Sequence, residues 1–129
     1  MARTPQDVTE AELAVLDVLW QQNQATVRQI SERLYPTGNS SHHATVQKLL
    51  DRLKTKQFVQ CDSSVWPHQF RALIDRADLI AIRLRSTADQ LCGGQLDPLL
   101  SQLVRAGKLS SMERKSLRDL LDKLDHERE

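Results

Sequence analysis

A chain of 129 residues has room for one globular domain, or for a small domain with an oligomerisation arm, and excludes two large domains. A formal net charge of +1 rules out nucleic-acid binding through bulk electrostatics, so any such affinity must come from a local patch, and 4% aromatics argues against modules that stack single-stranded bases or cage a sugar. Cys61 and Cys92 stand far apart with no C-x-x-C, His42, His43, His68 and His126 show no ligand spacing, no apolar run reaches membrane-spanning length, and Met1-Ala-Arg-Thr-Pro-Gln-Asp7 lacks the apolar core of a signal segment. The expectation is a cytoplasmic protein without zinc, cofactor or structural disulfide.

The first helix is predicted to begin at Thr9, where Thr9-Glu10-Ala11-Glu12 is a capping box and Val8 can staple onto Leu13. Its inward face is Leu13, Leu16, Leu19 and Trp20, with the Leu19-Trp20 pair expected to pack against the third helix. A second start follows at Thr26, with Gln29 as capping partner and Val27, Ile30 and Leu34 inward, until Tyr35-Pro36-Thr37-Gly38 breaks the helix. The third helix falls within Asn39 to Phe58: Val46, Leu49, Leu50 and Leu53 recur at helical spacing, while Lys48, Arg52, Lys54 and Lys56 oppose a single Asp51.

Three short helices with a turn between the second and third are the signature of a helix-turn-helix, whose recognition helix enters the major groove. Thr45, Gln47 and Lys48 are then the candidates for base reading: glutamine pairs with adenine, threonine touches a thymine methyl, and lysine reaches guanine or phosphate. Arg52, Lys54, Lys56 and Arg71 are expected on phosphates. His42 and His43 either add phosphate contacts or cap the helix, and His68 is either a wing contact or an ordinary strand residue. The competing reading of the cationic helix is a solvated structural face.

Phe58-Val59-Gln60-Cys61 reads as a strand, Asp62-Ser63-Ser64 as a turn and His68-Gln69-Phe70-Arg71-Ala72 as the returning strand, together a wing with Pro67 at its edge. From Asp75 the pattern is helical throughout. One helix carrying Leu79, Ile80, Ile82, Leu84, Ala88 and Leu91 runs to Gly93-Gly94, a second opens at Asp97-Pro98 and carries Leu99, Leu100, Leu103 and Val104 to Gly107, and a third opens at the Ser110-to-Glu113 capping box and carries Leu117, Leu120, Leu121 and Leu124. Ten basic and ten acidic residues balance over 75–129, so this half has no net field, and its leucine stripes exceed what so small a bundle can bury. The fold class expected is mainly α: a winged-helix DNA-binding domain over 1–74 and a helical dimerisation domain over 75–129, with Leu79, Ile80, Leu84, Leu99, Leu103, Leu117, Leu120, Leu121 and Leu124 at the dimer contact.

Thr9-x-x-Glu12-Leu13-x-Val15-Leu16-x-x-Leu19-Trp20, then Thr45-Val46-Gln47-x-Leu49-Leu50-x-Arg52-Leu53-x-x-Lys56, then Leu91-Cys92-Gly93-Gly94 and Leu109-Ser110-x-x-Glu113 resemble the penicillinase repressor (BlaI/MecI-like) family of winged-helix transcriptional repressors, from Thr9 to about Leu124. The resemblance implies a homodimer on an operator dyad in double-stranded DNA, released by an inducing signal. In the best-known members a protease cuts within the C-terminal arm. The aligned bond here is near Gln102-Leu103, where the asparagine-phenylalanine pair of the resistance repressors is absent. The cysteine pairs of copper-responsive relatives are absent too. Ala44 stands where relatives often carry lysine or threonine, and Gln57 replaces a common glycine, which implies a different operator sequence.

Cys61 and Cys92 are read either as small buried apolar residues or as thiols of a redox- or ligand-gated regulator. Nothing pairs a nucleophile with a positioned histidine and acid beyond the proximity of Cys61 and His68, so no enzyme is expected. The other alternative is a winged-helix protein-interaction module that docks a partner through its leucine-rich arm. The expected partners are thus an operator duplex, a second copy of the chain and an inducing protease or sensor, and no membrane.

Overall fold

A computed structural model of the chain describes residues 7–38 and 40–128. The leading residues 1–6, read above for a signal segment, and Asn39, where the cationic stretch opens, lie outside the described residues. The elements run α1 (Glu10–Gln22), α2 (Val27–Leu34), α3 (Ser40–Thr55), β1 (Val59–Asp62), β2 (Gln69–Ala72), α4 (Arg76–Leu91), α5 (Asp97–Arg105) and α6 (Ser111–Arg128). The fold is mainly helical, with one two-stranded antiparallel sheet among the described residues.

The helix starts follow local chemistry. Thr9 accepts from the Glu12 N–H at 3.2 Å while the Thr9 N–H donates to Glu12 Oε1 at 2.9 Å, and Thr26 and Gln29 repeat the exchange at 3.1 and 2.8 Å. Each box satisfies donors that the first helical turn leaves without partners. α3 ends differently. Gln57 adopts φ +67°, the Phe58 N–H reaches back to the Leu53 carbonyl at 2.9 Å, and the chain turns directly into β1. That hydrogen bond closes a helix end usually built on glycine.

β1 and β2 pair with Val59 opposite Ala72 and Cys61 opposite Phe70. Ala25, between α1 and α2, bridges Phe70 on the other side of β2, exchanging N–H to carbonyl bonds of 3.0 and 2.8 Å. The hairpin is thereby fastened to the helices at Phe70, whose buried ring joins Val15, Leu16, Leu19, Ile30, Val46, Leu50, Leu53 and Val59 in a single core. This is a three-helix winged helix.

The chain divides into two compact units between Ser86 and Thr87, inside α4 rather than at Asp75. The physical reason is Leu79, buried in the core of the first unit with Ile82 packed against it, so Leu79 is removed from the expected dimer contact. Trp20 packs against this core, which includes the buried α3 side chains, and makes a further tie: its indole N–H donates to the Ile74 carbonyl at 2.8 Å and the Arg76 guanidinium lies 4.6 Å from its ring centroid, so it also joins α1 to the start of α4.

In the second unit, Gly93 and Gly94 take φ of +58° and +86° at the end of α4, and Gly107 takes +67° after α5. Asp97 is the first helical residue of α5, not its cap: Leu96 holds that position without a side-chain bond. Ser110 and Glu113 form the expected box at α6, with the Ser110 N–H donating to Glu113 Oε1 at 3.0 Å. That N–H and the Ser110 side chain hold the Glu113 carboxyl below the ordinary glutamate range. Leu99 is half-buried, while Leu100, Leu103, Val104, Leu117, Leu120, Leu121 and Leu124 are all exposed.

Candidate nucleic-acid interface

α3 buries Val46, Leu49, Leu50 and Leu53 and, apart from the half-buried His42, turns its other residues to solvent. At about 100° per residue, Lys48 falls near the middle of the outer face, while Thr45 and Gln47 sit on opposite flanks roughly 160° apart. They do not form one row. Thr45 shares its flank with Arg52, and its hydroxyl donates to the Ser41 carbonyl at 3.1 Å. Gln47 shares the other flank with His43 and Lys54 and donates from Nε2 to Asp51 Oδ1 at 3.0 Å. Asp51, absent from the predicted site, thus holds the glutamine amide nitrogen. An i, i+4 pairing of this kind was available in the sequence.

His43, Gln47 and Lys54 on this flank line an open cleft of about 460 Å³ together with Arg28 at the start of α2 and with Trp66 and His68 of the wing. Lys48, Arg52 and Lys54 are exposed and make the outer face cationic. Arg71 is exposed on β2 directly opposite Gln60, donating to its Oε1 from Nε and Nη2 at 3.0 and 2.8 Å. His68 is half-buried, and Trp66 meets it edge-on with centroids 5.1 Å apart. Cys61 is a half-buried free thiol on β1 that lines the cleft, and Cys92 is a half-buried free thiol beside Gly93.

Two predicted phosphate contacts are engaged elsewhere. Lys56 donates from Nζ to Glu12 Oε1 and to the Asp7 carbonyl, both at 2.9 Å, so its charge is spent on a carboxylate that is 1% exposed. Burial raises the Glu12 carboxyl, but the Thr9 N–H and the Lys56 ammonium outweigh it and hold the group below its ordinary value. His42 is stacked on Tyr35 with centroids 4.4 Å apart, and a Cβ on Gly38 would stand 2.5 Å from its Nδ1. It packs the α2–α3 turn. Sequence reasoning misses both roles because each partner is fixed by tertiary packing or by a turn without periodicity.

α2 and α3 stand in the order of a helix-turn-helix beside a hairpin wing, and the model of the penicillinase repressor family matches residues 8–123. The chain belongs to the penicillinase repressor family. This repressor is accordingly a DNA-binding transcriptional regulator. It is 23% identical over 121 residues to an uncharacterized 16.5 kDa protein in the ptsI 3' region of Latilactobacillus sakei, covering 94% of this chain and 82% of that one. Among solved structures it is similar to the oxidized form of MarR from E. coli, at 22% identity and a TM-score of 0.44, covering 92% of this chain and 76% of that one. Among the described residues no helix is long and apolar enough to cross a membrane.

Proposed function

We propose that the repressor binds a two-fold symmetric operator as a homodimer, with α3 of each copy in successive major grooves. Lys48 approaches base edges or phosphate from the middle of the face, Gln47 reads an adenine from the wing-side flank, and Thr45 meets a thymine methyl from the other. Arg52, Lys54, His43 and Arg71 follow the strand backbones. The observation that carries this reading is the division of α3 into a buried leucine stripe and an exposed cationic face beside a hairpin wing.

The second copy is supported by the second unit. α5 buries none of its residues and α6 exposes Leu117, Leu120, Leu121 and Leu124, and clustered exposed leucines of this kind mark protein–protein contacts. Ile80 and Leu84 on α4 are exposed as well and join the proposed contact. The Gln102-Leu103 bond, where the family resemblance places inducing cleavage, lies inside helical α5. A protease acting there requires that helix to open first.

The test is a mobility shift with a duplex selected by the protein from a random library, run at two salt concentrations with unrelated DNA as competitor. The expected result is a salt-sensitive shift at two chains per duplex. Equal affinity for selected and unrelated duplexes would overturn it.

A further inference from the structure

The wing loop presents a chemistry that base reading by α3 and phosphate contact leave unused. Residues 63–68, Ser-Ser-Val-Trp-Pro-His, contain no lysine or arginine. Asp62, at the base of the loop, is folded onto Ser64, whose N–H and hydroxyl donate to Oδ1 at 3.0 and 2.5 Å and hold the carboxyl below the ordinary aspartate range. The loop instead exposes Val65 and Trp66, and Trp66, at 86% exposure, is the most exposed of the large apolar side chains described. Its ring stands edge-on against His68, with centroids 5.1 Å apart.

Trp66 shares the cleft with Gln47 and Lys54 of α3. A duplex whose major groove holds α3 passes one strand across that cleft and turns its adjoining minor groove toward the loop. The apolar loop is continuous with the polar face that such a duplex would cover, whereas the leucines suited to a second copy lie in the second unit.

We infer that Trp66 is an apolar reader of the operator's minor groove, set against the sugar edges or between base steps flanking the α3 contacts. This rests on the operator reading above and adds a second mode of specificity to it. An apolar wedge selects sequences by groove width and by how easily steps unstack, not by hydrogen bonds. It also neutralises no phosphate, so its contribution is independent of salt.

The experiment uses the full chain and a duplex that the wild type selects from a random library. Titrations of wild type, Trp66→Ala, Trp66→Phe and Lys54→Ala at three salt concentrations are paired with acrylamide quenching of tryptophan emission, in which the exposed component belongs to Trp66 because Trp20 is half-buried. Expected are an affinity loss of about tenfold for Trp66→Ala with an unchanged salt slope, partial retention by Trp66→Phe, weakened preference at base pairs flanking the α3 contacts, and shielding of Trp66 only when the duplex is added. Wild-type affinity and preference in Trp66→Ala, or a Trp66 equally quenchable with and without DNA, would overturn the inference while leaving the operator reading standing. So would shielding of Trp66 in the DNA-free protein, which would assign the loop to a protein contact. A wild type that selects no duplex sinks both.

Discussion

Gln57 occupies a left-handed backbone conformation, φ +67°, at the one place where α3 must stop and turn into the wing. A side chain there costs about 1 kcal/mol relative to glycine, because its Cβ crowds the neighbouring carbonyl. Family resemblance attaches the Gln57 departure to operator choice; the geometry attaches it to stability. Gln57→Gly should therefore raise the thermal midpoint by a few degrees, read by circular dichroism, with DNA preference unchanged. Gln47 is the contrasting case, since its side chain is exposed, bonded only to the neighbouring Asp51 carboxylate among the hydrogen bonds described, and outside the core. Gln47→Ala should cost about 1–3 kcal/mol of discrimination at one base position, whereas Lys54→Ala should weaken selected and unrelated duplexes alike and lower the salt slope by about 1 per half-site. Equal losses on both duplexes for Gln47→Ala would remove it from the reading set.

At the scale of elements, α1 and α3 are joined by a charge that the sequence reading spends on DNA. Lys56, at the end of α3, answers the buried Glu12 of the α1 capping box, whose second oxygen Oε2 has no hydrogen-bond partner among the described residues. Removing the ammonium leaves a buried carboxylate uncompensated, so Lys56→Ala should destabilise the first unit by about 3–5 kcal/mol in urea unfolding. The paired change Glu12→Gln with Lys56→Met should recover much of that loss, a coupling that a simple phosphate contact would not produce. The pH dependence has a definite sign. Glu12 sits below its ordinary value of 4.5, so its contribution is complete above that pH and disappears as pH falls through the lowered folded value. Thermal midpoints of wild type should drop more steeply below pH 4.5 than those of Glu12→Gln.

For the whole molecule, the unequal burial of the two units is the governing fact. The first unit closes a core around Leu16, Leu50 and Phe70, while the second leaves Leu120 and Leu121 at 58% and 60% exposure. In the proposed homodimer, a second copy covering that surface would link two α3 helices and turn the second half-site contact into an intramolecular event. Leu120→Asp combined with Leu121→Asp should halve the mass seen by sedimentation equilibrium, leave the fold of the first unit intact by circular dichroism, and weaken binding to the selected duplex by about 100-fold or more. A dimer that survives both changes would place the contact elsewhere.

Thr9, Thr26 and Ser110 show what the sequence by itself determined: each cap is closed by a residue three positions on, so short-range hydrogen bonding specifies the helix start without help from the rest of the chain. The leucine stripe of α3 is equally local, as its spacing matches one helix face. Tertiary structure alone decided which charges and apolar groups remain free for function. Lys54 and Lys56 look alike in the sequence, yet one stays in solvent and the other meets a carboxylate 44 residues away. Leu79 and Leu84 share a helix, yet one enters the first core and the other does not. Gln47 and Trp66, 19 positions apart, line one cleft through the packing of the hairpin, which Phe70 fastens to Ala25. Periodicity reports which face of a helix seeks burial; only the packed chain determines what that face and its charged neighbours meet.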